Sequence, residues 1–378
     1  MSNVVIAGYV RSPFTLANKG ALRKTRPDDM VAAVMKGLVE KTKVNPDHIE
    51  DIIMGCAFPE GEQGLNIARN AVFLAGFPIS VAGVTVNRFC GSSMQAIHQA
   101  AGAIKMGAGD VFICAGIESM SRIPMGGYNP MPNPTLVDAG SKAYIGMGET
   151  AENLADKYKI ARPKQEAFAV ESHKRAAAAQ AAGKFKDEII PVKGDGGMID
   201  TDGCIRAETT AETLAGLKTA FKEGGTVTAG TSSPLTDGAS AVLVCTEEYA
   251  AKNNLAPLAR IMAISVAGCG PEIMGIGPVP AIQKALLRAG LKLDKIDIIE
   301  LNEAFAAQAL SVVQELGIDL SKTNLDGGAI AIGHPLGASG GRITGKVAAL
   351  LKREKKKYGL SSMCIGGGQG IATVLEAL

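Results

Sequence analysis

Short apolar runs bounded by glycine alternate along the chain with longer stretches in which apolar residues recur at helical spacing, the pattern of an α/β protein. Val4-Val5-Ile6-Ala7 predicts a first strand and Asp51–Cys56 another. Val84 to Cys90 reads as an apolar strand ending in a sharp turn, followed by a helical pattern from Ser92 to Met106 and a strand beginning at Val111. The second half repeats this order. Asp297-Ile298-Ile299 answers Asp51-Ile52-Ile53 at an offset of 246 residues, Gly333-His334 answers the turn at Cys90 at 244, and Ser362–Gly367 answers Val111–Gly116, Cys364 standing 250 residues after Cys114. A helical pattern from Ala338 to Lys352 follows His334 as Ser92 to Met106 follows Cys90. Three landmarks at nearly one offset indicate a duplicated unit, each half a sheet covered by helices.

Between the halves, residues from about 120 to 245 are less regular. The stretch Pro124 to Pro134 is rich in Gly, Pro and Asn, and a helix is expected over Gln165 to Ala182 with Gly183 just past its end. A long insertion in a packed domain usually carries function. The expected division is an N-terminal domain over 1–250, containing this insertion, and a C-terminal domain over 256–378, with Lys252-Asn253-Asn254 at the boundary.

Composition narrows the picture. Glycine supplies 46 of 378 residues, well above its usual share of about 7%. Apolar residues make up 47% and Trp is absent, which suits a tightly packed chain with many turns. The 39 basic and 37 acidic residues leave a net charge of +2, so no general nucleic-acid binder is expected. The basic run at Lys352–Lys357 reads as a solvated helix end. There is no long apolar run and no leader-like start, so no membrane insertion and a cytoplasmic location are expected. Seven scattered cysteines without a C-x-x-C pair suggest neither a disulfide framework nor a metal site.

Two residues carry candidate chemistry. Cys90, between strand and helix, would lie at a helix N-terminus, where the dipole favours a thiolate, and Gly91 would let a substrate approach the sulfur. Read alone, Cys90 fits a buried structural cysteine as well as a nucleophile. His334 lies among six glycines and a proline; that loop lacks the spacing of a nucleotide-binding motif and suits a histidine held rigidly as a base. Cys364, opening Cys364-Ile-Gly-Gly-Gly-Gln-Gly, and Asn302, ending the repeated strand, complete a set of polar groups at strand ends.

The blocks Asn87-Arg-Phe-Cys90-Gly-Ser-Ser-Met-Gln, Asn302-Glu-Ala-Phe-Ala, Gly327 to Gly340 around His334, and Cys364 to Gly370 together resemble the four signature blocks of the thiolases, acetyl-CoA C-acetyl- and acyltransferases. The resemblance spans nearly the whole chain. It implies the thiolase-like α-β-α-β-α layered fold, with two similar mixed-sheet halves and an inserted loop domain. It also implies reversible CoA-dependent cleavage of a 3-oxoacyl-CoA into acetyl-CoA and a shortened acyl-CoA. In that chemistry Cys90 becomes acylated after His334 draws off its proton, and Cys364 protonates the departing enolate. Asn302, holding a water beside His334, and the backbone N–H groups of Cys90 and Gly366 form the two oxyanion holes.

By the same resemblance Ser233 contacts the pantetheine, Arg206 the adenine nucleotide, and Met147 and Phe305 line the tunnel, with CoA as substrate and no permanently bound cofactor. A homodimer or homotetramer is implied, with a β-oxidation partner subunit as an open question. Short-chain biosynthetic relatives commonly carry His-Met-Gly where this chain reads Gly146-Met147-Gly148, which favours a degradative role in fatty-acid β-oxidation. The alternatives are condensation of two acetyl-CoA, a β-ketoadipyl-CoA thiolase, and a non-catalytic acyl-CoA carrier.

Overall fold

The structure, a computed structural model, describes residues 3–378. Met1 and Ser2, part of the leader reading above, lie outside them. Among the described residues twelve strands form, in chain order: β1 (Val4–Arg11), β2 (Thr15–Leu16), β3 (Asp51–Cys56), β4 (Ala82–Val86), β5 (Val111–Ser119), β6 (Val192–Gly194), β7 (Gly197–Ile199), β8 (Thr236–Thr246), β9 (Ala259–Gly268), β10 (Ile298–Leu301), β11 (Tyr358–Ile365) and β12 (Gln369–Ala377). Ten of them build one sheet in the order β10-β11-β12-β9-β1-β8-β5-β3-β4, with β2 pairing on β8; β6 and β7 form a separate hairpin.

The duplication is visible strand by strand. β3 pairs in parallel with β5, which pairs antiparallel with β8, which pairs antiparallel with β1. In the second half β10, β11, β12 and β9 repeat those senses in that order. The two half-sheets meet where β1 pairs with β9 over Val5–Arg260 and Ile6–Ala259. β4 has no full counterpart: an isolated parallel bridge from Ile299 to Thr323 stands in its place. Ala329–Ile332, which the repeat aligns with the apolar run before Cys90, winds into a single helical turn.

The Ser92–Lys105 and Leu336–Arg353 helices form the middle layer. They pack on each other, and the second touches strands of both halves. Pro27–Thr42 covers the outer face of the first half-sheet and Pro278–Ala289 that of the second. Glycine lets the central helices approach: a Cβ at Gly340 would stand 2.5 Å from the Met94 nitrogen, and one at Gly116 2.4 Å from the Gly337 carbonyl. Leu336–Arg353 is buried almost all round, yet carries Arg342 and Lys346. Arg342 pairs with Glu300 at 3.0 Å, and Lys346 with Glu188 at 2.9 Å and Asp326 at 2.8 Å. The same network takes in buried Arg11, bound to Asp202 and Glu188, and so ties the inserted segment to the core.

That segment is shorter than the pattern suggested. β8 begins at Thr236, and all eleven of its residues are buried, so the stretch between core strands covers residues 120–235. Its Gly, Ala and Ser content hid a central strand. The helix expected over Gln165–Ala182 runs Arg162–Ala181, and Gly183 has the left-handed φ of +69°. The run after Lys352 is exposed, as expected.

Candidate active site

The parallel strands β3, β5 and β10 and the N-termini of the two central helices end at one side of the molecule, and the signature blocks gather there. Cys90 lies in a single 3-10 turn, Phe89–Gly91, immediately before the Ser92–Lys105 helix. Phe89 takes φ +41°, rare for a bulky residue, and polar neighbours hold it there. Asn87 Oδ1 accepts the Phe89 N–H at 2.8 Å while its amide donates to Ala57 O. Ser92 Oγ accepts the Arg88 N–H at 2.9 Å and donates to Phe89 O at 2.6 Å. Arg88 donates to Gln369 at 2.7 Å, so the first block is fastened to the fourth.

Two of the sequence expectations need correction here. Gly91 does not open a path to the sulfur. A Cβ there would meet Ile365 at 2.7 Å, so the glycine serves close packing of the Cys90 turn on the Cys364 turn. Nor is the thiolate favoured in the free chain. Burial pushes the Cys90 thiol up to about 11, although the backbone N–H groups of Gly366 and of Cys90 itself point at the sulfur and pull the other way. The helix N-terminus supplies donors, but desolvation outweighs them.

Gly333, with φ +109°, turns the chain into His334, whose N–H donates to Thr236 Oγ1 at 3.0 Å. Thr236 in turn donates to Pro234 O at 2.7 Å, linking this turn to the loop of Ser233. The imidazole is buried. Its Nε2 accepts from Asn302 Nδ2 at 3.3 Å, and its Nδ1 lies 2.6 Å from Ser339 Oγ. Burial, and then the charge of Arg342, lower its pKa to about 3, so the ring is neutral at physiological pH. Asn302 Oδ1 is buried without a hydrogen-bond partner among the described residues. Burial likewise pushes the Cys364 thiol well above its ordinary value, and nearby Cys90 pushes it further.

Cys364, Met147 and Phe305 belong to one apolar cluster with Ala151, Val227 and Met274. Gly366 lies between Phe89 and Met147: a Cβ there would stand 3.5 Å from the ring and 3.6 Å from the thioether. Ser233 donates both its N–H and its hydroxyl to Ala304 O at 3.0 Å, beside Asn302 and Phe305. Arg206 stands apart from this cluster. It is half-buried, with its guanidinium 3.0 Å from His173 on the Arg162–Ala181 helix.

Sequence reasoning missed Phe221 and Glu118. The Phe221 ring packs edge-on against Phe305, centroids 5.8 Å apart, and fills the space a side chain at Gly148 would need. The buried Glu118 joins the strand ends to the His334 helix. No sequence pattern marks Phe221, whereas a glutamate inside the apolar β5 run was a legible signal.

The family description "Thiolase, N-terminal domain" matches residues 4–248 and "Thiolase, C-terminal domain" matches residues 255–377. The chain belongs to the thiolase family. The 3-ketoacyl-CoA thiolase of Bacillus subtilis is 47% identical and that of Vibrio vulnificus 50% identical, each alignment covering 100% of both chains. Among solved structures, the human mitochondrial 3-ketoacyl-CoA thiolase superposes with a TM-score of 0.92 at 40% identity, over 100% of this chain and 99% of that one. The Bacillus anthracis acetyl-CoA acetyltransferase gives a TM-score of 0.91 at 40% identity, over 100% of this chain and 99% of that one. Within this family's fold, Asn302 meets His334, and the Cys90 turn packs on the turn that follows Cys364. Among the described residues no cluster suits a metal ion, and no helix is long and apolar enough to cross a membrane.

Proposed function

We propose that the chain catalyses reversible, CoA-dependent thiolytic cleavage of 3-oxoacyl-CoA. The observation that carries this reading is the meeting of the signature turns, Asn302 Nδ2 lying 3.3 Å from His334 Nε2 and the Cys90 turn packing through Gly91 on Ile365, next to Cys364. A neutral His334 takes the Cys90 proton as the sulfur attacks the 3-oxo carbon, and the N–H groups of Cys90 and Gly366 hold the oxygen that becomes negative. The bond between C2 and C3 then breaks, leaving an acyl group on Cys90 and an acetyl-CoA enolate. Asn302 and His334 stabilise that enolate and Cys364 supplies its proton. Cys364, left as a thiolate, takes the proton of the incoming CoA thiol; the CoA sulfur attacks the acyl-Cys90 thioester, releasing the shortened acyl-CoA, and His334 returns its proton to Cys90. One thioester replaces another of similar energy, which makes the reaction reversible.

CoA acts here as substrate, with no resident cofactor. Ser233 contacts its pantetheine, Met147 and Phe305 line the tunnel, and Arg206, on the inserted segment, meets the nucleotide. A role in fatty-acid β-oxidation is favoured by Gly146-Met147-Gly148 and by relatives named 3-ketoacyl-CoA thiolase. Condensation of two acetyl-CoA is the second reading, favoured by the acetyl-CoA acetyltransferase neighbour. A homodimer, or a homotetramer built from it, is favoured by β4. It is the outermost strand at its end of the sheet, and Leu65, Phe73, Ile79, Val84 and Phe89 around it are exposed. A second copy would cover that open edge.

Intact-mass spectrometry after brief exposure to 3-oxoacyl-CoAs of increasing length, without added CoA, tests the reading. An acyl adduct mapped to Cys90 is expected, with more from 3-oxohexanoyl-CoA than from acetoacetyl-CoA. The reverse preference would favour the second reading. Bound CoA without any adduct would leave only a carrier.

A further inference from the structure

We propose that Ser339 is a positioning residue that fixes the proton of His334 on Nδ1 and so keeps the Nε2 lone pair aimed at the reacting groups. The proposal rests on the reading of His334 as a base given above. Ser339 occupies the first turn of the Leu336–Arg353 helix, five residues after His334, and both side chains are buried. A serine hydroxyl has one proton. That of Ser339 goes to Pro335 O, at 2.9 Å. Its oxygen can therefore meet His334 Nδ1, at 2.6 Å, only as an acceptor, and Nδ1 carries the ring proton.

A second, independent contact requires the same tautomer. Asn302 Nδ2 is a donor only, and it lies 3.3 Å from His334 Nε2, which must then hold a lone pair. The ring is neutral, so it has one proton to place, and the two contacts place it on the same nitrogen. Without the Ser339 oxygen, Nδ1–H would lose its acceptor in a buried site, and the Asn302 contact alone would be left to hold the proton off Nε2. A ring protonated at Nε2 could not accept the Cys90 proton there. Pro335 shapes the device as well: as the residue before the helix, it offers its carbonyl to the Ser339 hydroxyl within the first helical turn.

The test compares Ser339→Ala and Ser339→Thr with the unaltered protein. The chain has only four histidines, so long-range proton–nitrogen NMR on histidine-labelled protein can resolve each ring, and a His334→Gln variant assigns the one in question. The unaltered protein should show His334 protonated at Nδ1. Ser339→Ala should populate the Nε2–H form and lower kcat for thiolysis by about 10- to 100-fold while KM for CoA stays unchanged. Ser339→Thr, which keeps the hydroxyl, should retain the Nδ1–H form. An unchanged tautomer and unchanged kcat in Ser339→Ala would overturn the proposal. Failure of the functional reading shows differently: His334→Gln would keep full thiolysis, while the tautomer measurement would still decide what Ser339 does.

Discussion

Glu118 Oε2 accepts the backbone N–H of Gly337 at 2.9 Å, joining the end of β5 to the first turn of the helix that follows His334. The same carboxylate accepts from Ala57 N at 2.8 Å and Phe58 N at 3.3 Å, just past β3, and from Gln63 Nε2 at 2.7 Å. One buried acid thus binds strand ends of the first half to the histidine turn of the second.

Every strong partner of Glu118 is a donor, so the site wants an acceptor at both oxygens. Glu118→Gln puts an NH2 against N–H groups whichever way the amide faces. Unfolding stability should fall by about 2–4 kcal/mol, read from urea denaturation. Acylation of Cys90 should slow as well, since the His334 turn loses its tie. A stability within error of the original would mean that the carboxylate is not holding the two halves together.

Glycine at the helix contact is a geometric requirement, and glycine elsewhere is not. Gly116→Ala drives a methyl into the Gly337 carbonyl and should cost about 1–3 kcal/mol by overpacking. Gly102 is exposed within the Ser92–Lys105 helix, with open space where a Cβ would go. Gly102→Ala should raise stability by about 0.5–1 kcal/mol through helix propensity alone. Thermal unfolding of the two variants in parallel separates these effects; equal shifts would remove the close-packing argument.

Cys90 is a thiol in the free protein, and the His334 ring is neutral rather than an imidazolium. Iodoacetamide alkylation of Cys90 should therefore climb about tenfold per pH unit from pH 6 to 9 without levelling off, because only the thiolate reacts. Peptide mapping at each pH gives the rate. A plateau across that range would mean a preformed thiolate–imidazolium pair.

Three buried histidines make the fold sensitive to acid. Burial, aided by a nearby arginine, lowers His98 and His334 to about 3 and His173 to about 4. As pH falls below the ordinary histidine value of about 6.5, the unfolded chain binds protons that the folded chain refuses, so stability declines. Glu300 works against this. Burial raises it to about 7, so its folded form favours the proton, and it adds stability as pH drops from 7 toward its unfolded value of 4.5. Burial also raises Glu118, Asp237, Glu303 and Asp51, which act with Glu300, whereas Asp326 and Glu188, held low by their cationic partners, act with the histidines. The urea midpoint should fall between pH 6.5 and pH 4.5; a rise would show that Glu300 and the other acids dominate.

The duplication was legible because its landmarks are local. Asp51–Cys56 and the strand at Val111 are short apolar runs, and the glycine-rich turns at Cys90 and His334 are marked by their neighbours. Arg342 and Lys346 were not legible: on a helix they look like a solvated face, and only Glu300, Glu188 and Asp326, from distant parts of the chain, make them interior residues. β8 was missed for a related reason. Its small residues carry no strong pattern, and its place between β1 and β5 comes from partners more than a hundred residues away.

By itself the sequence determined the repeat, the signature blocks and the family, because periodicity and motif spacing are properties of neighbouring residues. The tertiary structure decided the protonation states and the fit. Burial sets the Cys90 thiol and the neutral His334 ring, and only folding brings Asn302 to Nε2 and Ile365 against Gly91. Desolvation and contact depend on which surfaces meet, and that is a property of the folded chain.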